Sequence, residues 1–231
     1  MKFGLELFTF SEAREYLSFD ENRLYVAFSK LHSKRILHIF NRGKPRLYRV
    51  LDPENFLFLA SGVVRNVEKI ASERYLKLVL DCLRFLLKTV DLESFAVYGS
   101  VARGFPSQYS DVDILLVSDS LEGSLASRIE KLCCVEEMLE EELRWLRRRG
   151  IYTSLSFYPL RKDEARRLPL LFLDLTEEAA ILYDRNGFFE NVLLKLKEML
   201  LKQGAKRVMV GRYWYWDLKP NYRFSERVDV A

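Results

Sequence analysis

The amino-acid sequence predicts an α+β fold, a mixed sheet flanked by helices, preceded by a small unit of two helices and a hairpin. Three observations carry that expectation. Apolar positions recur at helical spacing from Asn66 to Val90 and again from Phe188 to Gln203. Short apolar runs, at Ser94 to Tyr98, Asp111 to Val117 and Ile151 to Tyr158, lie between those helical stretches and read as strands. Ahead of them, Ile36 to Phe40 and Arg46 to Val50 flank an Asn-Arg-Gly-Lys-Pro turn, which is the pattern of a hairpin.

The chain is organised around residues 94–119. An apolar, aromatic run stops at Gly99-Ser100, and a second run starts at Asp111 and Asp113. Alternate residues of a strand share a face, so these two carboxylates point the same way with their Cα atoms roughly 7 Å apart. Leu115 and Val117 continue that face, while Val112, Ile114 and Leu116 form the other, which leaves the acids at the mouth of an otherwise apolar strand. Like charges so close raise one another's pKa unless a cation neutralises them. A hard ion such as magnesium, held by a few carboxylates and by phosphate oxygens, answers that need. Gly99 permits close backbone approach, and the amides beyond it, with the Ser100 hydroxyl, can hold a phosphate.

Gly99-Ser100, Arg103-Gly104 and Ser110-Asp111-Val112-Asp113 resemble the GS…RG…SDxD signature of the DNA polymerase beta-like nucleotidyltransferases, above all their small, stand-alone prokaryotic members. Each fragment alone is common in turns; together, at this interval and between two strands, they are specific. The resemblance implies a nucleotidyltransferase-type sheet and a metal-dependent transfer of a nucleoside monophosphate from a nucleoside triphosphate, ATP foremost, to an acceptor. It makes Asp111 and Asp113 the catalytic ligands of Mg2+ or Mn2+, and Gly99, Ser100, Arg103, Gly104 and Ser110 the nucleotide-binding residues. The family places a third acid in the strand that here is 151–158, where this chain has Ser154 or Ser156 instead. Asp163, Glu164 and Asp174 fall in expected loop or helix. That departure keeps a second function open: a DNA-binding regulator or antitoxin-like interaction protein whose nucleotidyltransferase fold binds nucleotide or a protein partner without turnover.

The N-terminal unit, 1–62, resembles a winged helix-turn-helix with a truncated first helix, followed by a transferase domain over 63–231 that ends in a helix and an aromatic tail. Ser11 and Asp20 are the expected caps of its helices, the second presenting Leu24, Ala27, Phe28 and Leu31 on one face. Lys30, Lys34, Arg35, Arg42, Lys44, Arg46 and Arg49 fall in a stretch with no Asp or Glu, a charge pattern suited to duplex DNA phosphates or to docking on another surface. Asn55 to Gly62 reads as an apolar connector, so the two units are expected to pack together. His32 and His38 read as surface or packing residues. After Asp119 one long helix is expected to run to about Gly150, acidic first and basic last, as the helix dipole favours. In the tail, Tyr213 and Tyr215 alternate with Trp214 and Trp216, a segment that stacks on a base, seals an interface or packs on the core.

With 231 residues, 49% of them apolar, 30% charged, and a net charge of +4, nucleic-acid affinity must come from local clustering. No run approaches the roughly 18 apolar residues that span a bilayer, and the N-terminus lacks a signal-peptide core, so the expectation is a cytoplasmic protein without membrane contact. Cys82, Cys133 and Cys134 have no metal-ligand spacing and are expected as reduced core thiols.

Overall fold

The computed structural model describes residues 6–211 and 213–220. The chain begins with α1 (Phe10–Leu17), α2 (Glu21–Ser33), the hairpin strands β1 (Leu37–Asn41) and β2 (Leu47–Val50), α3 (Pro53–Ala60) and α4 (Leu76–Thr89). It continues through β3 (Ser94–Tyr98), α5 (Gly99–Arg103), β4 (Val112–Val117), α6 (Leu125–Met138), α7 (Glu140–Arg147) and β5 (Leu155–Leu160). Then come α8 (Lys162–Ala165), α9 (Phe172–Glu178), β6 (Ala180–Asp184), α10 (Phe188–Gln203) and a second hairpin, β7 (Lys206–Val210) with β8 (Tyr213–Asp217).

The central sheet has the order β5-β4-β3-β6. Strand β3 is antiparallel to β4 and β6, whereas β4 and β5 are parallel, so the sheet is mixed as the sequence predicts. Period-two alternation then divides the core. Val112, Ile114 and Leu116 pack with Leu78, Leu83 and Leu132 from α4 and α6. Leu115 and Val117 pack on the other side with Phe172, Phe189 and Leu196 from α9 and α10. Burial on both faces accounts for the continuous apolar run of β4, and it leaves Asp113 on the α9 side of the sheet.

Several local expectations are corrected. Thr9, not Ser11, caps α1: its hydroxyl accepts from the Glu12 amide at 3.2 Å while Glu12 reaches back to the Thr9 amide at 2.7 Å. The connector after Asp52 is the helix α3, because Asp52 accepts from the Asn55 amide and Pro53 stands at the first helical position. The helix expected from Asn66 starts at Leu76, after two single 3-10 turns entered from a left-handed Asn66. The long helix after Asp119 is two, α6 and α7, meeting at Leu139. Cys82 is buried, but Cys133 and Cys134 are exposed, since Leu132 and Val135 take the inward positions of α6.

Phe8, Ala13, Leu24, Phe28 and Leu37 form a small core of their own. Buried charge pins these first elements to the rest. Arg49 of β2 donates to both oxygens of Glu142 on α7 at 2.5 and 2.8 Å, with its guanidinium 3.6 Å from the Trp145 ring. Asn55 bridges Asp52 and Asp81 at 2.7 and 2.6 Å. Glu73 accepts from Arg35 at 2.6 Å and from the Ile39 amide at 2.8 Å, with His32 at 2.9 Å. Burial brings the His38 pKa down to about 4, so the ring is neutral at pH 7 and its Nε2–H donates to the Arg35 carbonyl at 2.7 Å. Glu142→Ala removes the acceptor of both Arg49 bonds and is expected to lower the unfolding free energy by about 3 kcal/mol, read from urea melts. Among the described residues no helix is long and apolar enough to cross a membrane.

Candidate active site

The site forms where β3, β4 and the approach to β5 end side by side. Backbone pairing puts Asp113 opposite Tyr98 on one flank and beside Ser156 on the other. Asp111, just before β4, is exposed, and Asp113 is half-buried. Ser154 reaches Asp111 from the β5 side: its hydroxyl and its amide both donate to Asp111 Oδ1, at 2.6 and 3.2 Å. One carboxylate oxygen is thus committed to Ser154, and the carboxylate is fixed in orientation.

Burial, and next the Asp111 charge, push the Asp113 carboxyl above the usual aspartate range, with Arg103 and Ser156 opposing. Tyr98 is pushed up to about 12 by burial, with Asp113 and Tyr158 adding, so its phenol keeps its proton at neutral pH. Gly99 has φ +70°, and a Cβ there would lie 2.1 Å from Asp113 Oδ2. The space beside its Cα is therefore filled by the carboxylate itself: Gly99 seats Asp113 and opens α5 in the same step. Gly104 closes α5 at φ +88°, where a Cβ would meet Ala71 at 2.8 Å. Loop residues Ala71 and Ser72 hold α5 by donating to the carbonyls of Ala102 and Val101.

The remaining motif residues have partners that the sequence did not disclose. Arg103 pairs with Glu178 of α9 at 2.5 Å, and its guanidinium lies 5.1 Å from the Trp214 ring. Glu178 also pairs with Arg207, which stands 4.2 Å over Trp214. Trp214 and Trp216 both donate to Asp174 Oδ1, at 2.9 and 3.0 Å, so the inward pair of the tail alternation packs on α9. The Ser110 hydroxyl accepts from the Ser107 amide at 2.9 Å and closes the 107–110 turn. Of the basic residues ahead of the sheet, Lys30, Lys34, Arg42, Lys44 and Arg46 are exposed and Arg35 is engaged by Glu73. Of these, Arg42 lines a cleft with the motif residues Arg103 and Gly104.

Two neighbouring carboxylates, one of them raised by burial and then by the other's charge, fit a divalent cation whose other positions are filled by phosphate oxygens and water. Among the described residues no group of three His, Cys, Asp or Glu side chains converges to hold a metal alone. Ser154 and Ser156 flank the pair.

The mixed sheet flanked by helices is consistent with a nucleotidyltransferase fold. The sequence model described as "Nucleotidyltransferase domain" matches residues 76–201, more than half of the chain, and the protein belongs to that family. It is 29% identical over 128 residues to a Methanocaldococcus jannaschii protein named "Putative protein adenylyltransferase", an alignment covering 55% of this chain and 82% of the relative. A solved structure described as a toxin-antitoxin with AMP-PNP superposes with a TM-score of 0.36 at 13% identity, over 54% of this chain and 90% of that one.

Proposed function

We propose that this nucleotidyltransferase transfers AMP from ATP to a hydroxyl group of a protein, with Mg2+ or Mn2+ held by Asp111 and Asp113. The observation that carries this reading is Asp113 seated directly against Gly99, with Asp111 held beside it by Ser154. The adenylyltransferase name of the Methanocaldococcus relative supports the choice of nucleotide and acceptor. When bound, a divalent cation supplies charge neutralisation for the triphosphate and the departing pyrophosphate. The chain's own residues do the rest. The start of α5, with the Ser100 hydroxyl, binds phosphate oxygens; Ser154 holds Asp111 in orientation; Arg103 adds a guanidinium that Glu178 keeps beside the site. Incubation with α-labelled ATP and either metal, with and without cell extract, tests the reading. Covalent, metal-dependent label on protein is expected. Nucleotide binding without transfer, under any metal or acceptor tried, would favour a non-catalytic interaction protein.

We further propose that 1–62 is a domain of winged-helix type, distinct from the transferase domain of 63–231. Its separate small core supports this. The exposed hairpin tip, Arg42, Lys44 and Arg46, favours contact with duplex phosphates. Affinity for duplex DNA should then fall steeply with salt, and replacing these three by Ala should cut the log–log slope by about 3. A slope unchanged by the substitutions would assign the basic surface to something other than DNA.

A further inference from the structure

In the order β5-β4-β3 the two aspartates separate Gly99-Ser100, at the end of β3, from Ser154, at the entrance to β5. Nucleotidyl transfer needs the attacking oxygen and the leaving pyrophosphate roughly in line. With phosphates on the Gly99 side, the attacking hydroxyl comes from the β5 side. Two tyrosines stand there. Tyr152 lies two residues before Ser154 and is 49% exposed; Tyr109 lies two residues before Asp111 and is 67% exposed. Their rings stack, with centroids 5.6 Å apart and planes 23° from parallel. The segments that carry them are bonded together. The Tyr152 amide donates to the Gln108 carbonyl at 2.7 Å, and the Thr153 hydroxyl donates to the Ser110 carbonyl at 2.9 Å.

We propose that Tyr152 is an acceptor for this chain's own reaction, so that the protein nucleotidylates itself at the mouth of its site. The proposal rests on the transferase reading above and adds a modification site to it. The Tyr152 oxygen forms a bond to the α-phosphorus of ATP while the bond from that phosphorus to the α,β-bridging oxygen breaks. Pyrophosphate leaves with the electron pair, and the phenolic proton is released to solvent. The product is a tyrosyl phosphodiester, and nothing is oxidised or reduced. Tyr109 is a positioning residue that holds the Tyr152 ring by stacking.

The test uses the full chain with α-labelled ATP and Mg2+ or Mn2+, without other protein, followed by peptide mass spectrometry. The adduct is expected on the peptide carrying Tyr152, and the same adduct is expected in part of the protein as purified from its host. Tyr152→Phe should lose the self-label while melting like wild type. Tyr109→Phe should keep it, and Tyr109→Ala should lower it about threefold to tenfold, as loss of one aromatic pair implies. An adduct on a different residue, or a Tyr152→Phe protein that labels itself as well as wild type does, overturns the proposal. A wild-type chain that labels extract proteins but never itself overturns self-modification and leaves the transferase reading standing. No label on anything overturns both.

Discussion

Asp111→Asn and Asp113→Asn are each expected to slow nucleotidyl transfer by about a thousandfold or more, because either change halves the charge available to hold a cation against the triphosphate. Stability should move the other way. The Asp113 pKa is raised in the folded chain, first by burial and then by Asp111. A raised carboxyl favours folding only in its protonated form: that contribution is present below the unfolded value near 3.8 and is lost as pH rises through the folded pKa. At neutral pH the ionised pair therefore opposes folding. Removing one charge should leave the apo protein as stable as wild type or slightly more so. Mg2+ with nucleotide should raise the melting temperature of wild type and do so much less in either variant. A variant that loses activity and melts well below wild type would instead mean that the carboxylates hold the fold. With Ser154 and Ser156 where a third acid would stand, Mn2+ is expected to support activity better than Mg2+.

The sheet and the carboxylate pair were legible because their signals are local. Period-two alternation places Asp111 and Asp113 on one face whatever surrounds them, and the parallel register sets Ser156 beside Asp113 where the alternation of 151–158 suggested a serine. What the sequence concealed depends on contacts far apart in the chain. Nothing around Glu178 announces that it pairs with Arg103, 75 residues earlier, or that Asp174 receives two indole donors from the tail. Local caps misled in a related way. Ser11 has the right chemistry for an N-cap, but Thr9 sits three residues before Glu12 and forms the reciprocal pair, so the better-satisfied alternative won. The long helix after Asp119 is expected to be continuous because its charges suit one dipole, and the inward positions Leu132, Val135, Leu139, Leu143 and Leu146 do keep helical spacing; the break is in the backbone, at Leu139 with φ −102° and ψ 4°.

Gly99 shows how the structure changes the meaning of a motif residue, and it carries the second large effect. From the sequence, a side chain at Gly99 should crowd the phosphate. In the structure it first meets Asp113: a Cβ would stand 2.1 Å from Oδ2 and 3.0 Å from Cγ. Asp113 has a short side chain and a half-buried place, so its carboxylate must turn off the shared face to make room. Gly99→Ala is therefore expected to cost about a hundredfold or more in transfer rate, approaching the loss in Asp113→Asn, since a metal ligand displaced by an ångström is as poor as one removed. The stability cost has a separate origin. At φ +70° an L-residue is strained by about 1–2 kcal/mol. Gly62→Ala provides the control, for it has φ +73° and nothing within 4 Å of its Cβ. Both variants should lose similar stability, measured by urea melts, while only Gly99→Ala should lose metal-dependent transfer. If the two keep equal activity, Asp113 is not the group that Gly99 seats, and the motif glycine is needed only for the turn into α5.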